Sequence, residues 1–459
     1  MSVLGTLPPK LADFWQKFRA GYAEGVLVNF FIWFVVFAYF APSGVIPAAM
    51  FIAGLCSLGY LSLKKGAAIH SFWPVAGLTL AILVFAFLRS DFVDLLLAGK
   101  SLGDAYWTST RYFQAPLISW FTTWAFIFVA WRVSTARGQR VAVFIAWIFI
   151  GLVAIQLLDC LGNLAMRNGM NQRFFGNARP EMLIVESSNL NLVLLMLFWP
   201  LAFLAMQRRW IAGVGAAVVA IVLGGFVVDS NAHIVVLAVS AVAFFAARYW
   251  PAGLTRKAIL PERVAAVIAG IVVLGFPLLI QWLVTTGLAT QIHDRVPRSW
   301  AHRIEIWTYA LERSLEKPVW GWGYEATRYF EPIIPLHPHN MSLQAWLELG
   351  IPGLLLLAAM WGSIFWFMAP KNATAVSQSN GFVELSAISS GAVEELTAEQ
   401  KARPYMLAAA TAYFTLNTLS YGMWKAWLIC LGAMVLVVAI LVIKAVKQDG
   451  IVAVTTIRP

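Results

Sequence analysis

Residues 210–250 read WIAGVGAAVVAIVLGGFVVDSNAHIVVLAVSAVAFFAARYW. Two apolar runs of spanning length, 210–228 and 232–250, are separated only by Asp229, Ser230 and Asn231. A membrane helix needs about 20 mostly apolar residues, so this stretch predicts a tight hairpin of two membrane helices. Reading outward, ten further runs appear at 26–40, 44–63, 70–88, 113–131, 141–160, 189–207, 264–286, 351–369, 404–422 and 426–443. The chain of 459 residues is 60% apolar and 12% charged, with mean hydropathy +0.75. Soluble domains carry roughly 25% charged residues, which excludes a water-soluble fold. The fold expected is all-α and polytopic, with about twelve membrane helices. Residues 1–25 lack the short apolar stretch of a cleavable signal, so the first span is expected to be retained.

The net charge of +11 does not point to nucleic acid, because the basic residues are scattered between apolar runs. With the N-terminus cytoplasmic, every short loop on that side carries Lys or Arg, as the positive-inside rule requires. That side collects 20 of the 33 basic residues, and both termini lie on it. The other 13 lie mostly in three longer far-side segments, 89–112, 161–188 and 287–340. Topology has no use for them there; a ligand does. The expected division is therefore nine spans in 1–286, a far-side catalytic loop with surface helices at 287–350, and three spans in 351–459. The Ser/Ala/Glu-rich segment 370–403 is a cytoplasmic connector in this reading. Cys56, Cys160 and Cys430 form neither a disulfide framework nor a zinc spacing.

The 287–340 loop holds six basic residues and four of the six histidines. Ser299 is placed to cap a helix running to Glu316, with Ile304, Trp307, Leu311 and Leu315 as its apolar stripe and Pro318 as its stop. Asn340 reads as the cap of a short helix to Glu348, broken at Gly350-Ile351-Pro352-Gly353. His337-Pro338-His339-Asn340 brings two imidazoles to a helix N-terminus, where unpaired N–H groups favour an anion. A general base beside a phosphate fits; so do plain interfacial histidines with a capping Asn. A metal site is weaker, since no third ligand follows at a recognisable spacing. Arg303, with Arg298 before it, suits bidentate phosphate contact, although snorkelling or a salt bridge with Glu305 or Asp294 would use it equally well. Arg173 and Arg179, among aromatics and amides, suit sugar or phosphate contact or an ordinary solvated loop. Asp159, Asp229 and His233 are polar intrusions at span ends, either functional or solvating. Neither a Gly-rich phosphate loop nor an Asp-x-Asp pair is present, which favours a donor carrying its own diphosphate.

Four submotifs recur in order: Arg303-Ile-Glu-Ile-Trp307, Pro318-Val-Trp-Gly321-Trp-Gly323, His337-Pro-His339-Asn340-Met-Ser-Leu343-Gln and Glu348-Leu-Gly350-Ile-Pro-Gly353. This pattern resembles the O-antigen ligase family, and Arg173-Phe-Phe-Gly176 with Asn189 is similar to a further family pattern. A departure stands at 229–233, where the family's Ser-Arg is replaced by Asp-Ser-Asn-Ala-His. The resemblance implies a glycosyltransferase of the bacterial inner membrane with a periplasmic site. It would move a polysaccharide from undecaprenyl pyrophosphate to the lipid A-core oligosaccharide, inverting the anomeric centre without metal, nucleotide or other cofactor. In that role His339 and Arg303 would be catalytic, while His337, Asn340, Arg298, Arg173 and Arg179 would bind substrate. An O-antigen polymerase and a protein O-oligosaccharyltransferase share the motifs and differ in acceptor. A lipid-linked glycan flippase or transporter would instead place its charges at mid-membrane in both halves.

Overall fold

The computed structural model describes residues 9–62, 73–101, 103–104, 114–176, 180–370 and 396–457. All regular structure among them is helical. The helices are α1 (Pro9–Ala38), α2 (Pro42–Ser62), α3 (Trp73–Leu88), α4 (Asp91–Leu97), α5 (Gln114–Arg132), α6 (Thr135–Leu161), α7 (Ala165–Phe175), α8 (Pro180–Gln207) and α9 (Ile211–Val227). They continue as α10 (Asn231–Arg248), α11 (Ala252–Arg256), α12 (Pro261–Thr285), α13 (Leu288–His293), α14 (Arg298–Glu316), α15 (Met341–Met368), α16 (Ala398–Leu419) and α17 (Ala426–Ile457). In hydrocarbon every backbone N–H and C=O must be paired within the segment, which is why apolar runs of this length become helices.

Each of the twelve apolar runs coincides with one of these helices. Seven are long and apolar enough to cross a membrane by length and composition, and three shorter ones lie at Pro42–Leu58, Pro74–Leu88 and Ile211–Val227. The chain is thus a multi-pass membrane protein. The remaining two carry polar side chains that dilute their hydropathy: Gln, Ser and Thr with a terminal Arg132 in α5, and Gln, Thr and Asn with several charged residues in α16. The opening hairpin forms: α9 and α10 are joined by three residues, with Asp229 in the left-handed region (φ 49°) and Ser230 N–H on the Gly225 carbonyl at 2.8 Å.

Helices α8 and α17 are the centre of the bundle, with 89% and 72% of their apolar windows buried against 28–44% for the other five spans. One large apolar core joins residues of α1, α2, α5, α6, α8, α9, α16 and α17. A second, of α12, α15 and α16, carries the loop helix α14 at one end.

Four expectations need correction. The first helix continues back to Pro9 rather than beginning near residue 26. Part of the 370–403 connector is helical: Thr397 makes a capping box with Gln400 and α16 starts at Ala398, while residues 371–395 lie outside the described ones. Ser299 is not the cap of α14, because Pro297 precedes the helix and its carbonyl accepts from Trp300 and Ala301 at 2.8 and 3.0 Å. The buried face of α14 is Ile306, Trp307, Ala310, Leu311 and Ser314. Leu315 is exposed, because the groove of α12 and α15 meets the helix along the 306/310/314 edge.

Candidate active site

The site is built on a kink. Gly350 (φ 69°, ψ −164°) breaks α15 into two helical halves, and Pro352 has no N–H to give to the Glu348 carbonyl one turn back. Ile351 N–H turns instead to the Pro318 carbonyl at 3.0 Å. The carbonyls of Leu347 and Glu348, thereby left without helical partners, are taken by Trp322 N–H and Gly323 N–H, both at 2.8 Å. Such close approach excludes side chains. A Cβ on Gly350 would lie 2.0 Å from the Val319 carbonyl oxygen, and one on Gly321 (φ 67°) 2.5 Å from the Glu348 backbone. Two of the four submotifs are therefore the two halves of one backbone knot.

The knot fixes the loop above the first half of α15. Asn340, fully buried, caps that helix through Oδ1, which accepts from Leu343 N–H at 2.9 Å. Its Nδ2 donates to the Thr418 carbonyl at the end of α16 at 2.8 Å. Trp307 on α14 donates its indole N–H to the Pro338 carbonyl at 2.9 Å, tying the His-Pro-His turn to the helix that bears Arg303. The turn puts His339 in the left-handed region (φ 56°) and the two imidazole centroids 4.4 Å apart.

The connection 420–425 between α16 and α17 closes over these histidines. His339 Nδ1 lies 2.6 Å from the Ser420 carbonyl. A carbonyl only accepts, so Nδ1 carries the proton and Nε2 the lone pair. His337 Nδ1 accepts the His339 backbone N–H at 3.2 Å, so its proton sits on Nε2, and its ring packs against Gly422. Buried Glu348 accepts from Thr327 Oγ1 at 2.8 Å, Gln344 Nε2 at 3.1 Å and the Trp424 indole. Gln344 Oε1 in turn accepts Met423 N–H at 2.9 Å. One carboxylate thus joins loop, helix and connection.

Burial pushes His339 down to about 4, opposed by the Ser420 carbonyl and reinforced by the fields of Arg303, Lys425 and His302. His337 is pushed to about 2 by burial, then by His339, Lys425 and Arg328. Both imidazoles are neutral at neutral pH. Arg303 is half-buried over the Trp300 ring (5.0 Å), and burial lowers its guanidinium from the usual value. Among the described residues it forms no ion pair: Glu305 goes to His293 and His302, and Asp294 to His293. Lys425 is likewise half-buried with no carboxylate within 4.0 Å among the described residues, whereas Arg328 is paired with Glu325 at 3.0 Å.

Arg303, His337, His339 and Asn340 are therefore brought together. Arg298 stands exposed at the start of α14, Arg173 exposed in the last turn of α7, and Arg179 lies outside the described residues. Among the described residues no cluster of three His, Cys, Asp or Glu could hold a metal ion.

Residues 216–358, from α9 to the middle of α15, match the family model described as O-Antigen ligase. This segment is of the O-antigen ligase family. Proteins named "Putative polysaccharide ligase" from Rickettsia conorii and Rickettsia felis are each 28% identical over 158 residues, covering 31% of this chain and 32% of theirs. One from Rickettsia bellii is 24% identical over 184 residues, covering 37% and 38%. The chain thus spans about a third of the length of the relatives it matches.

The O-antigen ligase segment holds Arg303 and both histidines, but the group that orients His339 lies outside it. Ser420, Gly422 and Lys425 were missed by motif reading. The available signal was charge: in the topology expected from the sequence, Lys425 is the one far-side basic residue outside the three long segments. The polar intrusions have separate fates. Asp229 is exposed at its turn, as a solvating residue would be. His233 is buried with Nδ1 3.2 Å from Asn191 Nδ2. Asp159 and Arg167 form a fully buried pair at 3.0 Å, with the guanidinium 4.0 Å from the Tyr39 ring centroid. That pair anchors α7 to α6 and to the turn after α1.

Proposed function

We propose that this protein is a metal-independent, inverting glycosyltransferase of the bacterial inner membrane, crossing it about twelve times with both termini cytoplasmic and the 287–340 loop periplasmic. Its donor is a polysaccharide on undecaprenyl pyrophosphate and its acceptor the lipid A-core oligosaccharide. The observation that carries this reading is a neutral His339, its Nδ1 committed to the Ser420 carbonyl, flanked by Arg303 and Lys425, two half-buried cations that have no carboxylate within 4.0 Å among the described residues. The relatives named as polysaccharide ligases agree with it.

In this mechanism Nε2 of His339 takes the proton of the acceptor hydroxyl as that oxygen bonds to the anomeric carbon. The bond from that carbon to the pyrophosphate oxygen breaks, and the electron pair leaves with the diphosphate. The transition state at the sugar is oxocarbenium-like, so the hydroxyl loses its proton late and a weak base suffices. Charge gathers on the departing diphosphate, where Arg303 offers a planar fork and Lys425 a compact ammonium. Displacement from the opposite face inverts the configuration. His337 and Asn340 act by position: one holds the His339 backbone N–H and the other fastens the turn to α16.

The purified protein is to be incubated with undecaprenyl-pyrophosphate glycan and, separately, lipid A-core, a peptide or a second donor molecule, with and without EDTA. Glycosylation of lipid A-core that survives chelation is the expected result. Transfer only to peptide or to donor would reassign the acceptor, and loss with EDTA restored by magnesium would end the cation-only account.

A further inference from the structure

Next to Trp300, the ring under Arg303, lies a cavity of about 140 Å³ lined by the last turns of α12 and the elbow of α13 and α14. Its walls include Ile280, Leu283, Ile292, Val296, Trp300 and Ile304, and Thr308 is its one polar side chain. Protein interiors are close-packed, and unfilled apolar volume costs stability. A cavity of about 150 Å³ with aliphatic and aromatic walls stays dry and accepts a small hydrocarbon, so this one is suited to about five or six carbons.

Its position narrows the occupant. The floor belongs to α12, an apolar helix of spanning length, and the roof to the loop helix that carries Arg303. Trp300 is both cavity wall and the ring beneath the Arg303 guanidinium. Trp307 is both cavity wall and the donor that holds the Pro338 carbonyl beside His339. A molecule filling the cavity therefore has hydrocarbon within a ring's width of the Arg303 guanidinium. A diphosphate joined directly to a branched, unsaturated five-carbon unit has that shape; a phospholipid separates its phosphate from its chains by glycerol and ester groups.

We propose that this cavity seats the first isoprene unit of the donor lipid, so that Trp300 and Ile304 contribute to donor recognition through the lipid rather than the sugar. The assignment rests on the donor chemistry proposed above.

The test measures inorganic pyrophosphate and geranyl pyrophosphate as competitors of transfer by the full-length protein in nanodiscs. In the unaltered protein geranyl pyrophosphate should compete roughly 10-fold better or more, as burial of several carbons implies. Ala289 on α13 is also a wall of the cavity, so Ala289→Phe, which adds a ring there, should bring the two competitors to near parity while the potency of pyrophosphate itself is kept, which also certifies an intact polar site. Leu283→Trp fills the cavity from the α12 side and should do the same if Ala289→Phe does not fold. An unchanged ratio in a variant that pyrophosphate still inhibits would overturn the cavity assignment alone and leave the cavity to a bilayer acyl chain. Failure of pyrophosphate to compete in the unaltered protein would overturn the donor reading and the cavity assignment together.

Discussion

Asn340 separates a bridging role from a substrate-binding one. Its Oδ1 caps α15 and its Nδ2 holds the Thr418 carbonyl, both inside a fully buried environment. Asn340→Ser keeps a cap and loses the bridge, leaving one buried carbonyl without a donor at a cost of about 1–2 kcal/mol. Asn340→Ala also loses the cap, about 1 kcal/mol more. Asn340→Asp keeps the cap but turns a carboxylate oxygen toward the Thr418 carbonyl, where an unpaired buried charge costs several kcal/mol. Thermal midpoints in detergent should therefore fall in the order Ser, Ala, Asp. Because the bridge sets the end of α16, and with it the Ser420 carbonyl on His339, Asn340→Ser should lower the turnover rate more than it raises the donor KM. Equal destabilisation by Ser and Asp would refute the bridge. So would full recovery of rate at high donor concentration, which would make Asn340 a donor contact.

His339→Ala should lower transfer roughly 10²–10⁴-fold with donor binding nearly intact, measured by single-turnover kinetics and donor pull-down. Since burial and nearby cations push His339 down to about 4, the reactive neutral form is complete well above that value and is lost only as pH falls through it. The rate should be flat from about pH 6 to 8 as far as this group is concerned, whereas a titration centred near 6.5 would mean a solvated imidazole. Gly350→Ala, with φ 69° and a Cβ 2.0 Å from the Val319 carbonyl oxygen, should abolish the kink and the loop's backbone pairing, seen as rapid proteolysis within 317–340; a protease-resistant, active variant would show that the knot tolerates a side chain. In a cysteine-free background, a Cys at exposed Glu312 should react with an impermeant thiol reagent in spheroplasts and one at exposed Lys257 should not, and the reverse would invert the proposed orientation.

Local pattern made much of this legible. Apolar run length located the twelve helices, because in hydrocarbon a backbone has little choice but to satisfy itself. The Gly-Ile-Pro-Gly break and the Asn340 cap are likewise local, set by φ and by a missing N–H, and both are found where the sequence put them. That Arg303, His337 and His339 belong to one site was legible only through the resemblance carried by the four ordered submotifs, since local chemistry left each of them with a bland alternative. What the sequence left open depended on packing between segments remote in the chain: the His339–Ser420 and Asn340–Thr418 contacts join residues 81 and 78 positions apart. No periodicity encodes such a separation. It is set by how α15 and α16 pack, and only that packing chose the proton-bearing nitrogen of His339, brought Lys425 to the site and left Arg298 and Arg173 outside the group.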